Sequence, residues 1–265
     1  MWPEGRRCAV SFTFDFDAEE VWISEDPANA NRPGVLSQGT YGAKVAVPLI
    51  LELLDRHSIN ATFFVPGRVA ERYPARVREM LAAGHEIGHH GYTHTSPGNL
   101  DLDQEKDELS RGRQALEALG CTVVGYRSPS WDFSGETLNL LERDGFVYSS
   151  NFMDDIRPYR HDGRQLLELP VQWILDDAPH WWFDGIASWN KKISTTAEVR
   201  SIWLEELNGI RTLGGCCIFT MHPQIVGRPS RLGFLNDLIA SVKQQDDVWI
   251  APCRDIALQA NKALA

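Results

Sequence analysis

Short apolar runs alternate with helix-patterned segments along almost the whole chain, and this alternation constrains the fold more than any other feature. Strand-like runs are read over 8–16, 60–65, 85–89, 121–126, 146–149, 165–169 and 216–220, with a last short one at 248–250. Amphipathic spacing and helix-ending glycines mark helices over 43–57, 69–83, 103–119, 135–144, 195–208 and 230–244. Such an α/β succession predicts a mostly parallel sheet covered by helices. The number and length of the strands favour a closed barrel over a doubly wound sheet. Residues 24–42, rich in Pro, Asn, Gly and Ser, read as a long loop. Residues 173–189, with Asp176, Asp177, Trp181, Trp182 and Trp189, fit neither period. No linker or repeat interrupts the pattern, so one domain is expected over 1–265.

The formal charge of −10 argues against a nucleic-acid surface. The five cysteines, Cys8, Cys121, Cys216, Cys217 and Cys253, form no CxxC pair and leave an odd count, as expected for reduced thiols. No apolar segment precedes the first strand, and no run reaches the length of a membrane span. These features set the expectation of a soluble, cytoplasmic protein without nucleic-acid or membrane partners.

Polar clusters follow four of the strands: Asp15–Asp17, His90–His94, Arg127–Trp131 and His222. In a parallel barrel the ends of the strands form the catalytic face. Four of the eight histidines fall between His85 and His94. His90 and His94 are four residues apart, and an oxygen donor would complete a three-residue metal site. Acids at the end of an apolar strand need a reason to be there, because burying a carboxylate is costly. Asp17, His90 and His94 therefore form the candidate ligand set, with positions left open for water and substrate. Zinc is the first choice of ion, and cobalt or nickel also suits these donors.

Asp15 shares a strand face with Asp17 and is the candidate general base; His222, on a different strand, is the candidate acid. Arg127 is placed to fix Asp15 or to clamp a substrate oxygen. Asp176 is the candidate partner for the second nitrogen of His222. Backbone N–H groups near Gly91 to Thr93 are candidate oxyanion donors. Tyr92, Pro129 and Trp131 are assigned to the pocket wall. Trp22, Trp181 and Trp182 are assigned to cap a small pocket or to stack on sugar rings.

These motifs resemble the polysaccharide deacetylase, or NodB-homology, superfamily of carbohydrate esterases. The family's Thr-Phe-Asp-Asp-Gly is similar to Thr13-Phe14-Asp15, with Asp17 displaced by the inserted Phe16. His90-Gly91-Tyr92-Thr93-His94 resembles its His-Ser/Thr-x-x-His, with Gly91 in place of Ser/Thr. Arg127-Ser128-Pro129-Ser130-Trp131 matches Arg-x-Pro-x-Trp in full, and Phe219-Thr220-Met221-His222 matches Leu-x-x-His apart from its first residue. The resemblance is nearest to a branch that includes peptidoglycan deacetylases, cyclic-imide hydrolases and allantoinase-like proteins. It implies a distorted (β/α)7 barrel and a homo-oligomer, dimer or tetramer. It also implies Asp15 as base, Asp17, His90 and His94 as metal ligands, and His222 as acid. The activity implied is metal-dependent hydrolysis of amide-type C–N bonds of the polysaccharide or peptidoglycan deacetylase kind, on an N-acetylated sugar; the alternative is hydrolysis of a small linear or cyclic amide, such as a cyclic imide or an allantoin-like compound. A glycan-binding barrel without catalysis is the remaining alternative, and it would not need all five groups.

Overall fold

A computed structural model of the chain describes residues 1–183 and 192–264. Trp189 lies outside the described residues. The described residues form nine strands: β1 (Cys8–Asp15), β2 (Thr62–Val65), β3 (Glu86–His89), β4 (Gly125–Tyr126), β5 (Tyr148–Ser149), β6 (Tyr159–Arg160), β7 (Leu167–Glu168), β8 (Cys216–Met221) and β9 (Val248–Ile250). They join in the order β6-β7-β5-β4-β3-β2-β1-β8, and only the β6–β7 pair is antiparallel. A strand has two edges. β8 runs along one edge of β1, so β9 and β2 share the other, pairing with Cys8–Val10 and with Thr13–Asp15 respectively.

The sheet curls but does not close into a continuous ladder. Beyond β8, the side facing the β7 end carries an isolated bridge between Asp176 and Thr220. The barrel is thus distorted and open. Its far half consists of two-residue strands, too short for the register to propagate. The strand expected over 121–126 pairs only at Gly125–Tyr126.

Period-two alternation in β1 sets the inside apart from the outside. Cys8, Val10, Phe12 and Phe14 pack into the main core under the helices, where Phe12 stacks on Phe219 and Phe14 on Phe63. The alternate residues Ser11, Thr13 and Asp15 are also buried, and they point a polar row up the opposite face. This row leads from the middle of the barrel to its C-terminal end.

The loop expected over 24–42 is instead helical. Helices Glu20–Glu25 and Pro33–Tyr41 flank a 3₁₀ turn at Pro27–Asn31, and a π-helical turn, Gly42–Ala46, runs on into helix Val47–His57. The prolines that suggested a loop sit in the first turns of these helices, where the missing N–H costs nothing. Gly39 is a close-approach residue: a Cβ there would collide with the Ala18 carbonyl. All five cysteines are buried and free. Among the described residues no helix is long and apolar enough to cross a membrane.

Candidate active site

Asp15, Asp17, His90, His94 and His222 line one cavity of about 230 Å³ at the C-terminal end of the strands. Asp17 lies just beyond β1 and is fully buried, yet neither of its carboxylate oxygens receives a hydrogen bond. Such a group is costly to bury unless a cation meets it. His90 Nε2 lies 3.4 Å and His94 Nε2 3.6 Å from Asp17 Oδ1. Two ligands each about 2.0–2.1 Å from one ion at a tetrahedral angle sit roughly 3.4 Å apart, so the three side chains fit a shared divalent cation.

The other ring nitrogens fix which atoms face that point. His90 Nδ1 is 2.8 Å from the Arg127 carbonyl, to which it donates, leaving the Nε2 lone pair for an ion. His94 Nδ1 is 3.3 Å from Ser24 Oγ. Burial works to raise the Asp17 carboxyl, but His94, His90 and His222 outweigh it and hold it at about 2. Burial pushes His94 down to about 4, which keeps it as the neutral imidazole a metal needs. His90 is lowered by burial but raised overall by Asp15 and Asp17 facing it, so this point favours positive charge.

Asp15 accepts a 2.8 Å hydrogen bond from Arg127 Nη1, and its second oxygen lies 3.9 Å from His90 Nε2. Arg127 is wholly buried and donates in addition to Thr13 Oγ1, Ser150 Oγ and the Ser150 carbonyl, with its guanidinium over the Phe64 ring. It holds Asp15 and is shut off from substrate. Thr13 entered the sequence reading only as part of the Thr13-Phe14-Asp15 motif, with no role of its own, and Ser150 went unnoticed, because nothing distinguishes it from an ordinary strand residue.

His222 follows β8, with Nε2 3.8 Å from Asp17 Oδ2. Its Nδ1 lies 2.7 Å from Asp177 Oδ1, while Asp176 stands 3.9 Å away. The partner expected at Asp176 is therefore Asp177. The bridge from Asp176 to Thr220 aims the neighbouring Asp177 at the His222 side chain and backbone. Burial opposes the charged ring, but Asp177, then Asp176 and Asp17, raise His222 well above the usual imidazole range. Asp176 is raised to about 7, chiefly by burial, and lines the cavity.

Two other expectations are corrected. The N–H groups of Tyr92 and Thr93 both donate to Glu108 Oε2, at 2.7 and 2.8 Å, and so are not open to an oxyanion. Tyr92 itself turns away, donating to Glu71 beneath the Arg111 guanidinium, and lines a separate surface cleft. Of the expected wall residues, Trp131 and Trp182 line the catalytic cavity, joined by Trp173, whose ring is 4.4 Å from that of Trp131. Pro129 is buried behind this wall. Trp22 and Trp181 are buried as well and line a neighbouring cavity, with Trp22 stacked on Trp182. Val21 and Glu25, which the sequence reading did not single out, reach the catalytic cavity from helix Glu20–Glu25.

Five non-glycine residues have positive φ among the described residues, and four of them ring the site: Ala18, His94, Ser130 and Trp131. Backbone strain of this kind persists where the surrounding structure holds it, and it clusters at functional sites.

Fold and site together define an open α/β barrel with a two-histidine, one-carboxylate cluster fit for a divalent cation. Comparison with known proteins agrees. The polysaccharide deacetylase family pattern matches residues 38–149. A solved structure of a putative polysaccharide deacetylase from Mycobacterium smegmatis is 44% identical, with a TM-score of 0.96, over 100% of this chain and 93% of that one. A Helicobacter pylori protein named peptidoglycan deacetylase is 26% identical over 91% of this chain and 92% of its own. The solved Puue allantoinase shares the fold, with a TM-score of 0.83 at 24% identity, over 97% of this chain and 91% of that one. The chain belongs to the polysaccharide deacetylase family.

Proposed function

We propose that this protein hydrolyses amide-type C–N bonds with a divalent cation held by Asp17, His90 and His94. The observation that carries the reading is the buried Asp17 carboxylate, without a hydrogen bond and faced by two imidazole nitrogens. A cation there would polarise the substrate carbonyl and lower the pKa of water. Asp15, oriented by Arg127, takes the proton of the attacking water. His222, held by Asp177, delivers a proton to the departing nitrogen, which is a poor leaving group without one. Zinc is the ion this donor set suits first.

The cavity of about 230 Å³, walled by Trp131, Trp173 and Trp182, favours a compact linear or cyclic amide. A single N-acetylated sugar is the second reading, supported by the relatives' names and by the stacking surface of the same tryptophans. A homo-oligomer belongs to the same proposal. Trp173, Ile174 and Phe183 are exposed, and light scattering that finds only monomer would remove this part.

The test is a panel of small amides, cyclic imides and N-acetylated oligosaccharides, assayed with metal-replete and chelated protein. Metal-dependent turnover of small amides exceeding that of the glycans supports the reading. Faster turnover of long glycans reverses the order of substrates, and no turnover of any C–N bond rejects the activity.

A further inference from the structure

Beside the catalytic cavity lies a second one of about 300 Å³, lined by Trp22, Trp181, Trp182, Gln224, Arg228 and Arg231 among others. Trp182 lines both cavities and separates them. Three observations about this cavity are independent of the metal site.

The Gln224 side chain is 5% exposed, and neither its amide nitrogen nor its oxygen has a hydrogen-bond partner. Leaving both ends of a buried amide unpaired costs several kcal/mol unless something fills the space beside it. Next, Arg228 and Arg231 stand at the start of helix Pro229–Lys243, whose first turn holds no acidic residue. The positive end of a helix dipole is the unfavourable place for two cations and the favourable one for an anion. Among the described residues neither guanidinium has a carboxylate within ion-pair distance, although Asp177 lies within electrostatic reach of Arg231.

The third observation is rigidity. Arg228 donates to the Gln224 carbonyl and lies 3.8 Å over the Tyr41 ring; Arg231 donates to the Ile225 carbonyl and lies over Trp181. The guanidiniums are thus held in place, and among the described residues their remaining N–H groups have no hydrogen-bond partner.

We infer that this cavity binds a small organic carboxylate, its anionic end accepting from Arg228, Arg231 and the Gln224 Nε2 amide hydrogens, and its apolar body set against Trp181 and Trp182. Arginine forks suit a planar carboxylate, and indole faces suit a flat apolar body. The inference does not depend on the hydrolytic reading, because it uses none of the metal ligands.

Tryptophan fluorescence titrated with phenylacetate, which has no C–N bond to hydrolyse, tests it on the metal-replete protein. Saturable binding is expected, with phenylacetamide, its neutral analogue, much weaker. Gln224→Leu and Arg228→Gln should each weaken phenylacetate roughly 10- to 100-fold, the loss expected for a hydrogen bond to a charged group. Asp17→Asn should leave it unchanged. The inference fails if phenylacetate does not saturate in the millimolar range, if the neutral amide binds equally well, or if Asp17→Asn weakens binding and Gln224→Leu does not. Kinetics then separate two sources of the carboxylate. If it is the far end of the substrate, Arg228→Gln raises KM for acidic amides but not for neutral ones. If it belongs to a separate molecule, both KM values stay as they are.

Discussion

His222 and Asp177 are joined twice: the backbone N–H of His222 donates to Asp177 Oδ2 at 3.0 Å, and its ring Nδ1 meets Asp177 Oδ1 at 2.7 Å. One carboxylate thereby sets both the position of the residue and the rotation of its ring. With Nδ1 engaged, the proton to be given away sits on Nε2, the nitrogen that faces Asp17 across the cavity. The arrangement selects one tautomer and stabilises the charged ring, as an acid requires.

Asp177→Asn keeps the shape of this contact but removes the charge. Turnover of an amide should fall roughly 10- to 100-fold, the usual cost of losing such an orienting partner. Asp176→Asn should cost clearly less, because Asp176 stands 3.9 Å from the ring. Metal content should be normal in both. A larger loss at Asp176 would assign the orienting role to it after all.

Much of this site could be read in the chain because its main groups follow strands. Strand ends converge in a parallel barrel, so Asp15, Asp17, His90, His94 and His222, already linked by donor type, spacing and motif, could be placed on one face. What failed was anything set by local register or by neighbours distant in sequence. Asp176 and Asp177 are adjacent acids, and only the bridge to Thr220 decides which of them meets His222. Tyr92 sits within the histidine motif, but the strained turn from Gly91 to His94 sends its ring to Glu71. The helices replacing the expected loop were hidden by glycines and prolines whose roles are close packing and helix initiation.

The ligand assignment makes a prediction that needs no assay of activity. Protein purified without chelator should carry about one divalent ion per chain, as a single three-ligand site implies. Chelation should lower Tm and readdition restore it, since a ligand bound only by the folded state stabilises that state. Asp17→Asn should bind little metal and show no such response. Normal metal content in Asp17→Asn, measured by elemental analysis, would place the ion elsewhere.

His85 gives a pH dependence of stability away from the metal site. It is 6% exposed, its Nδ1 accepts the Ala61 N–H, and its Nε2 has no partner. Burial lowers its pKa from 6.5 to about 4. Between those values the unfolded chain binds the proton and the folded one does not, so stability falls as pH falls through this window. Below about 4 the folded state is protonated too, and the loss stops growing. The whole effect is about 3 kcal/mol. Asn at this position offers an acceptor without titrating. The gap between His85→Asn and the native protein in urea midpoint should therefore change steadily from pH 7 to pH 4, in the variant's favour as the medium becomes more acid. A gap that is constant with pH would mean that His85 is not held neutral.

The pairing of Arg127 with Asp15 joins stability to chemistry, and a double-mutant cycle can part them. Arg127→Met keeps much of the side-chain volume over Phe64 but leaves the Asp15 carboxylate buried without its cation. Breaking a buried pair in this way costs about 3–5 kcal/mol. Asp15→Asn alone should also cost stability, because it leaves the Arg127 guanidinium buried without its carboxylate, but less than Arg127→Met, because the amide oxygen still accepts from Arg127. Its kcat/KM should nevertheless fall roughly 10²–10⁴-fold, as for a lost general base, with metal still bound. Combining the two changes removes the unpaired charge, so the double variant should recover part of the stability lost in Arg127→Met while staying inactive. Such a coupling between contacting residues is the expected sign of non-additivity. The measurements are urea unfolding, metal content and kcat/KM on one amide for all four proteins. If the double variant is no more stable than Arg127→Met, the guanidinium serves mainly Ser150 and Thr13. If Asp15→Asn retains its rate, Asp15 is a structural acid and the base must be sought elsewhere in the cavity.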